Sequence, residues 1–268
     1  MVQPKPIEDV IGQALQFSLR LEDRRGELTD FDVKRLAHEI SSAGNNAMVT
    51  ALRDVLVGEI ERDFLKLDTA AEQVFSMPAR AGLFANIGNL VLFAFNPELA
   101  SAMTRHAFEL DSESPDLLEH LLLNAWYSGD MHLCQEIYNR MKVLQVDLDT
   151  VEHFQFEYAF SVLERSGVPI SEYREAIVGL HSIIRPYVSG KLNVKVLLNF
   201  EPVNHEDGYE GIVAEVSFDG LEEELLDHLD DTLLDWSADP ERVSPELSRV
   251  VTFVARDIPK RQSIREAC

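Results

Sequence analysis

Two stretches of the sequence decide the fold: residues 84–110 read FANIGNLVLFAFNPELASAMTRHAFEL, and residues 118–144 read LEHLLLNAWYSGDMHLCQEIYNRMKVL. In both, apolar residues recur at steps of three and four, which places one apolar stripe on one face of a helix. The breaks Asn96-Pro97 and Ser128-Gly129-Asp130 divide each stretch in two and predict a helical hairpin. A shift of 34 residues aligns the hairpins and pairs Phe84 with Leu118, Ala100 with Cys134, and Ala107 with Met141.

In the two hairpins, bulky residues and small residues stand at positions that are typical of two helices packed closely together. The first copy has the pair Ile87-Gly88 and the small residues Ala100 and Ala107, and the second has Gly129 in its turn and Tyr138 on its second helix. This pattern resembles the tetratricopeptide repeat over about residues 84–146. In that family a bulky residue and a Leu-Gly-like pair line the first helix, and small residues let the second helix lie close to it.

The pattern also departs from the family in each copy. Leu122 stands where a small residue is expected beside Leu121, and Phe95 occupies a turn position that is usually Gly. Ser112 and Val146 stand where a closing Pro is usual. An irregular helical bundle that contains two 34-residue hairpins is therefore the alternative interpretation of residues 1–188.

A stack of such repeats forms a concave surface that binds a peptide or another protein. The resemblance therefore implies binding and not catalysis. Asn89, Asn124 and Tyr127 are the candidate peptide-contacting residues on this helical face, because an amide side chain both donates and accepts hydrogen bonds.

The sequence period changes after Gly190, where residues 192–200 and 212–218 have the β-branched and apolar composition of strands. A helix is predicted over 221–236, with leucines every four residues on one face, and a third strand over 250–255. The order strand, strand, helix, strand predicts a small α+β unit. We therefore expect an α+β protein with a helical region over 1–188 and an acidic α+β domain over 190–268.

The negative charge is concentrated in this second region. The chain has a net charge of −23, and the segment between Lys195 and Arg242 contains fifteen acidic residues and no Lys or Arg. On the predicted helix the leucines take the inner face, so four acids are assigned to the outer face as candidate partner-binding residues: Glu223, Asp227, Asp230 and Asp231. Such a patch attracts a basic protein and repels nucleic acid. A solvated face that only maintains solubility is the alternative.

No motif for catalysis, a metal or a cofactor emerges from the sequence. The loop His205-Glu206-Asp207 offers metal-ligand types, but consecutive side chains in a loop tend to diverge. Cys134 and His132 are expected on different faces of one helix, and no phosphate loop or nucleophile elbow occurs. The longest apolar run spans residues 90–95, far short of the roughly 20 residues of a membrane-spanning helix.

These observations predict a cytoplasmic protein-binding module that is not an enzyme. With only two cysteines and no apolar leader pattern, a reducing compartment is the simplest expectation. The specific hypothesis is a protein that neutralises or chaperones a basic partner, as an immunity protein, antitoxin or secretion chaperone does. The alternatives are a regulatory scaffold that binds a peptide on the helical-repeat face, and an enzyme whose site forms only in the fold. The sequence gives no oligomeric state.

Overall fold

The structure, a computed structural model, describes residues 24–42, 46–148, 156–204 and 210–258, together with Gly12, Gln16, Arg20, Leu21 and Gly44. In these residues a run of helices precedes a three-stranded sheet, so the α+β class predicted from the sequence is confirmed. The helices before the sheet are α1 Asp30–Ser41, α2 Ala47–Glu61, α3 Phe64–Phe75, α4 Ala81–Phe93, α5 Pro97–Leu110, α6 Pro115–Tyr127, α7 Met131–Val143, α8 Phe156–Ser166 and α9 Ile170–Val188. The C-terminal elements are β1 Lys195–Asn204, β2 Glu210–Asp219, α10 Glu223–Ala238, α11 Pro245–Ser248 and β3 Val251–Asp257.

The helices pack against their neighbours in the manner of a helical repeat. The first helices of three successive hairpins begin at Ala47, Ala81 and Pro115, which are spaced by 34 residues. In the predicted pair of hairpins, α4 contacts both α5 and α6, and α5 contacts α6. The hairpin of α2 and α3 extends the same arrangement upstream, which the sequence pattern did not predict.

Each hairpin turn is built from a left-handed residue followed by a helix cap. The left-handed residues are Arg62, Phe95 and Gly129, with φ of 57°, 60° and 73°. The caps are Asp63, Asn96 and Asp130, whose side chains accept hydrogen bonds from the amides of Lys66, Leu99 and Leu133. The turn therefore keeps its shape without Gly, at a cost of roughly 1–2 kcal/mol for a residue that carries a Cβ. This explains how Phe95 is accommodated at the position where the sequence comparison expects Gly.

The sheet has the strand order β1-β2-β3, with β1 and β2 antiparallel and β3 parallel to β2. The hairpin predicted between the first two strands is thus present. Alternate residues point to a buried face that packs on helices, among them Phe200 in β1, Val216 in β2 and Phe253 in β3. Because β3 returns parallel to β2, α10 serves as the crossover between them and packs on β3.

Two buried arginines tie the chain before β1 to the N-terminal helices. Arg62, between α2 and α3, donates hydrogen bonds to the carbonyls of Phe93 and Val194, and its own carbonyl accepts one from Gly190 N. Arg25 is 1% exposed and pairs with the Glu59 carboxylate at 2.5 Å. One buried apolar cluster then continues from α2 to β3, so the helices and the sheet share a core.

Within the described ranges, no helix is both long enough and apolar enough to cross a membrane.

Candidate functional site

Helix α10 is anchored along one side by apolar contacts to the sheet and to α9. Leu229 and Leu233 are fully buried, and the Trp236 ring lies edge-on to Phe253 with centroids 4.9 Å apart. The same indole ring packs so closely on Gly179 of α9 that a Cβ there would lie 2.6 Å from it. The helix is therefore held in one orientation, which fixes the side chains that it presents on its other side.

The opposite side of α10 carries a stripe of exposed residues, here called the α10 outer face: Glu223, Asp227, Asp231 and Leu234. They follow one another at intervals of four, four and three residues, so they line one side of the helix. In the part of the chain that the structure describes, no Lys or Arg lies within ion-pair distance of these three carboxylates. Leu234 is 54% exposed and places an apolar contact in the stripe.

Asp230, which the sequence analysis assigned to this outer face, is placed differently. Its side chain is half-buried, and its Oδ1 accepts a hydrogen bond from Ala255 N at 3.2 Å. Asp230 directly follows the buried Leu229, and at about 100° per residue it lies at the border of the buried stripe. It therefore holds α10 to β3 and is not part of the α10 outer face.

Three other carboxylates of the acidic segment are paired with arginines. Glu210 pairs with Arg165 of α8 at 2.5 Å. Glu215 pairs with Arg256 of β3 at 3.0 Å, and Asp239 pairs with Arg242 at 3.3 Å. The segment is thus partly compensated at the sheet and after the helix. Among the described residues, the three carboxylates of the α10 outer face have no such arginine partner.

The residues proposed for peptide binding on the helical face do not form one surface. Asn124 is 1% exposed, and its Nδ2 donates a hydrogen bond to the carbonyl of Ala85 at 3.0 Å, so it joins α6 to α4. Tyr127 is half-buried, and its ring packs edge-on against Phe200 of β1 at 5.3 Å. Asn89 is half-exposed on α4. The chain's own sheet covers Tyr127, and Asn124 has no surface to offer a peptide.

Cys134 is fully buried, and burial raises the pKa of its thiol well above the usual value. A buried thiol with a raised pKa is a poor nucleophile, because the thiolate is the reactive form. Among the described residues, no group of three or more His, Cys, Asp or Glu side chains is arranged to hold a metal ion. The loop His205-Glu206-Asp207 lies outside the described residues.

His181 of α9 is a fully buried titratable group whose ring lies 5.6 Å from the ring of Phe95. Its Nε2 donates a hydrogen bond to the Tyr127 carbonyl at 3.1 Å, and its Nδ1 has no partner within the described structure. Burial lowers the pKa of His181 to about 4. The imidazole is therefore neutral in the folded chain at pH 7.

This burial predicts a loss of stability in mild acid. The unfolded chain binds a proton at His181 near pH 6.5 and the folded chain only near pH 4, so the free energy of unfolding falls as the pH drops through this interval. Relative to His181→Gln, which keeps a donor for Tyr127 O, the wild type is expected to lose about 2–3 kcal/mol between pH 7 and pH 4.5. Urea unfolding at both pH values measures this difference. Equal losses in the two proteins would contradict it.

The sequence pattern identified three of the four members of the α10 outer face and missed Leu234. Leucines at 225, 229 and 233 define the inner stripe. Leu234 was not assigned to the outer face because it directly follows Leu233 of this stripe. Its one-residue offset from Leu233, about 100° around the helix, was the signal that it points away from the core.

Comparison of the chain with models of protein families found none that matches. Searches of curated proteins and of solved structures likewise found no match.

Proposed function

We propose that this protein binds a basic protein partner through the α10 outer face. The observation that carries this proposal is the stripe of three exposed carboxylates that ends at the exposed Leu234 and has no Lys or Arg at ion-pair distance among the residues that the structure describes. Uncompensated charges of one sign steer an oppositely charged protein and raise its association rate. An exposed apolar side chain beside these carboxylates adds area that is removed from water in the complex.

The rigidity of α10 supports a role in recognition. Trp236, Gly179 and the Asp230 hydrogen bond fix the helix against α9 and β3. The outer face is therefore formed before a partner arrives, and binding does not require the helix to be ordered at a cost in entropy.

The helical hairpins support the same kind of function. Their 34-residue spacing and their packing agree with the resemblance to tetratricopeptide repeats, whose members bind proteins. In the more specific form of the proposal, the protein neutralises or chaperones its basic partner, as an immunity protein, an antitoxin or a secretion chaperone does.

Charge reversal on the outer face tests the proposal. The double variant Asp227→Lys, Asp231→Lys is expected to lose at least about tenfold in affinity for the partner, because two attractive charges become repulsive. The wild type is used as bait in an extract of the source cells at about 50 mM salt, and the partner it retains is identified and then titrated as a purified protein. Asp230 is left unchanged because it accepts the hydrogen bond from Ala255 N.

The matched control is the double variant Glu72→Lys, Glu164→Lys. Both residues are exposed on helices of the N-terminal region, and their reversal changes the net charge by the same amount. The control is expected to bind within about threefold of the wild type at 0.15 M salt, where charges far apart are largely screened from each other. Equal losses in the two variants, or no partner retained at either low or high salt, would refute the proposed docking surface.

A further inference from the structure

The chain leaves β3 beside the beginning of α10. Ile258 N donates a hydrogen bond to the carbonyl of Phe218, at the end of β2, and α10 begins five residues after Phe218. Along β3 the contacts run in the opposite direction to the helix, since Phe253 packs on Trp236 whereas Ala255 bonds to Asp230. Ile258, the last described residue before the segment 259–268, therefore lies near the Glu223 end of α10.

The segment 259–268 is complementary to that face because it is basic and contains an apolar residue. It contains Lys260, Arg261 and Arg265 against the single acid Glu266, in a chain whose net charge is −23. Ile264 stands between these cations. The α10 outer face has the opposite charge, because its three carboxylates have no Lys or Arg at ion-pair distance among the described residues. It also has one exposed apolar side chain, Leu234, which follows these carboxylates.

The segment is long enough to cover the face. From Glu223 to Leu234 the helix rises about 16 Å. Ten residues in extended conformation span at most about 33 Å, and the six residues from Ile258 to Ile264 span at most about 20 Å. Ile264 can thus reach Leu234, with Arg261 and Arg265 placed on either side of it.

From these features we infer that residues 259–268 dock along the α10 outer face as an intramolecular ligand, with Ile264 against Leu234 and the basic side chains on Asp227 and Asp231. The docking itself needs no second protein. If the proposed function holds, the segment competes with the basic partner for the same surface and must be displaced before the partner binds.

The native Cys268 allows a direct test in the full chain. Cys134 is fully buried and its thiol pKa is raised, so a thiol-reactive nitroxide labels Cys268. The nitroxide is expected to broaden the backbone amide signals of residues 231–238 at about 50 mM salt. This broadening should weaken at about 1 M salt, where the Debye length falls to about 3 Å. The measurement uses the isolated protein, so its outcome does not depend on whether a partner exists.

Two variants separate docking from simple tethering, because any tail attached at Ile258 brings the label near Glu223. Reversal of the segment's charges by Lys260→Glu, Arg261→Glu and Arg265→Glu keeps the tether and is expected to abolish the broadening at residues 231–238. Leu234→Ser keeps every charge and is expected to reduce it. Equal broadening of residues 231–238 in the wild type and the charge-reversed chain would overturn the inference, as would its absence in the wild type.

Discussion

Replacing Glu59 with alanine is expected to lower the free energy of unfolding by about 3–5 kcal/mol, because it leaves the guanidinium of Arg25 buried without this carboxylate. The two side chains are 5% and 0% exposed, and their charged atoms lie 2.5 Å apart. Arg25 also donates to the carbonyls of Ile60 and Leu192, so the loss is transmitted to the segment that leads into β1. Urea unfolding followed by circular dichroism at pH 7 measures the change.

Glu61 on the same helix provides the matched control. Its side chain is 42% exposed and pairs with Lys66 at 3.3 Å. Because exposed ion pairs contribute little, Glu61→Ala is expected to cost less than about 1 kcal/mol. A cost for Glu59→Ala that is no larger than the cost for Glu61→Ala would mean that the Arg25 pair does not hold the N-terminal helices to the sheet.

Adding a single methyl group at Gly179 is expected to destabilise the protein by about 1–3 kcal/mol, the usual range for an overpacked core. The new Cβ would lie 2.6 Å from an atom of the Trp236 ring, which cannot move away because it is itself packed on Phe253. The variant Gly179→Ala therefore strains the contact that holds α10 to α9. Thermal unfolding of the variant and the wild type in parallel checks this prediction.

Gly82 serves as the control for the change from glycine to alanine. It lies in α4, and a Cβ there meets no other atom within 4 Å. The variant Gly82→Ala is expected to stabilise the protein by about 0.4–1 kcal/mol, since alanine loses less conformational freedom on folding. If both variants stabilised the protein, the packing of Trp236 on α9 would be looser than the structure indicates.

The helices and strands were predictable where periodicity is strong and local. The predicted helix over 221–236 corresponds to α10 at Glu223–Ala238, and the three predicted strands correspond to β1, β2 and β3. Hydrophobic periodicity carried these predictions, because each of these elements buries one face and exposes the other. The 34-residue spacing of the two hairpins was equally visible, because their apolar residues repeat in register.

Features that depend on long-range contacts were not predictable. Nothing local in the sequence marks Arg25 and Arg62 as buried, because their partners Leu192 and Val194 are more than 130 residues away. The upstream hairpin of α2 and α3 was missed because its residues do not match the pattern of the other two, although its first helix begins at the same 34-residue spacing.

In the candidate site too, residues placed by local periodicity were predictable, and residues placed by long-range contacts were not. The inner leucines of α10 determine which acids point outward, so Glu223, Asp227 and Asp231 followed from the pattern. Asp230 did not, because its role depends on Ala255 N, which the fold brings to it from β3. Asn124 was wrongly predicted to contact a peptide, because its hydrogen bond to the Ala85 carbonyl forms only when α4 and α6 pack together.

Hydrogen–deuterium exchange with the retained partner tests directly whether the partner binds to the α10 outer face. The exchange of the full chain is measured with and without the purified partner at about 50 mM salt. We expect slower exchange in Glu223–Ala238 on binding, and loss of this protection in the Asp227→Lys, Asp231→Lys variant. Protection confined to α4 and α6, with α10 unchanged, would contradict it and would place the binding surface on the helical hairpins.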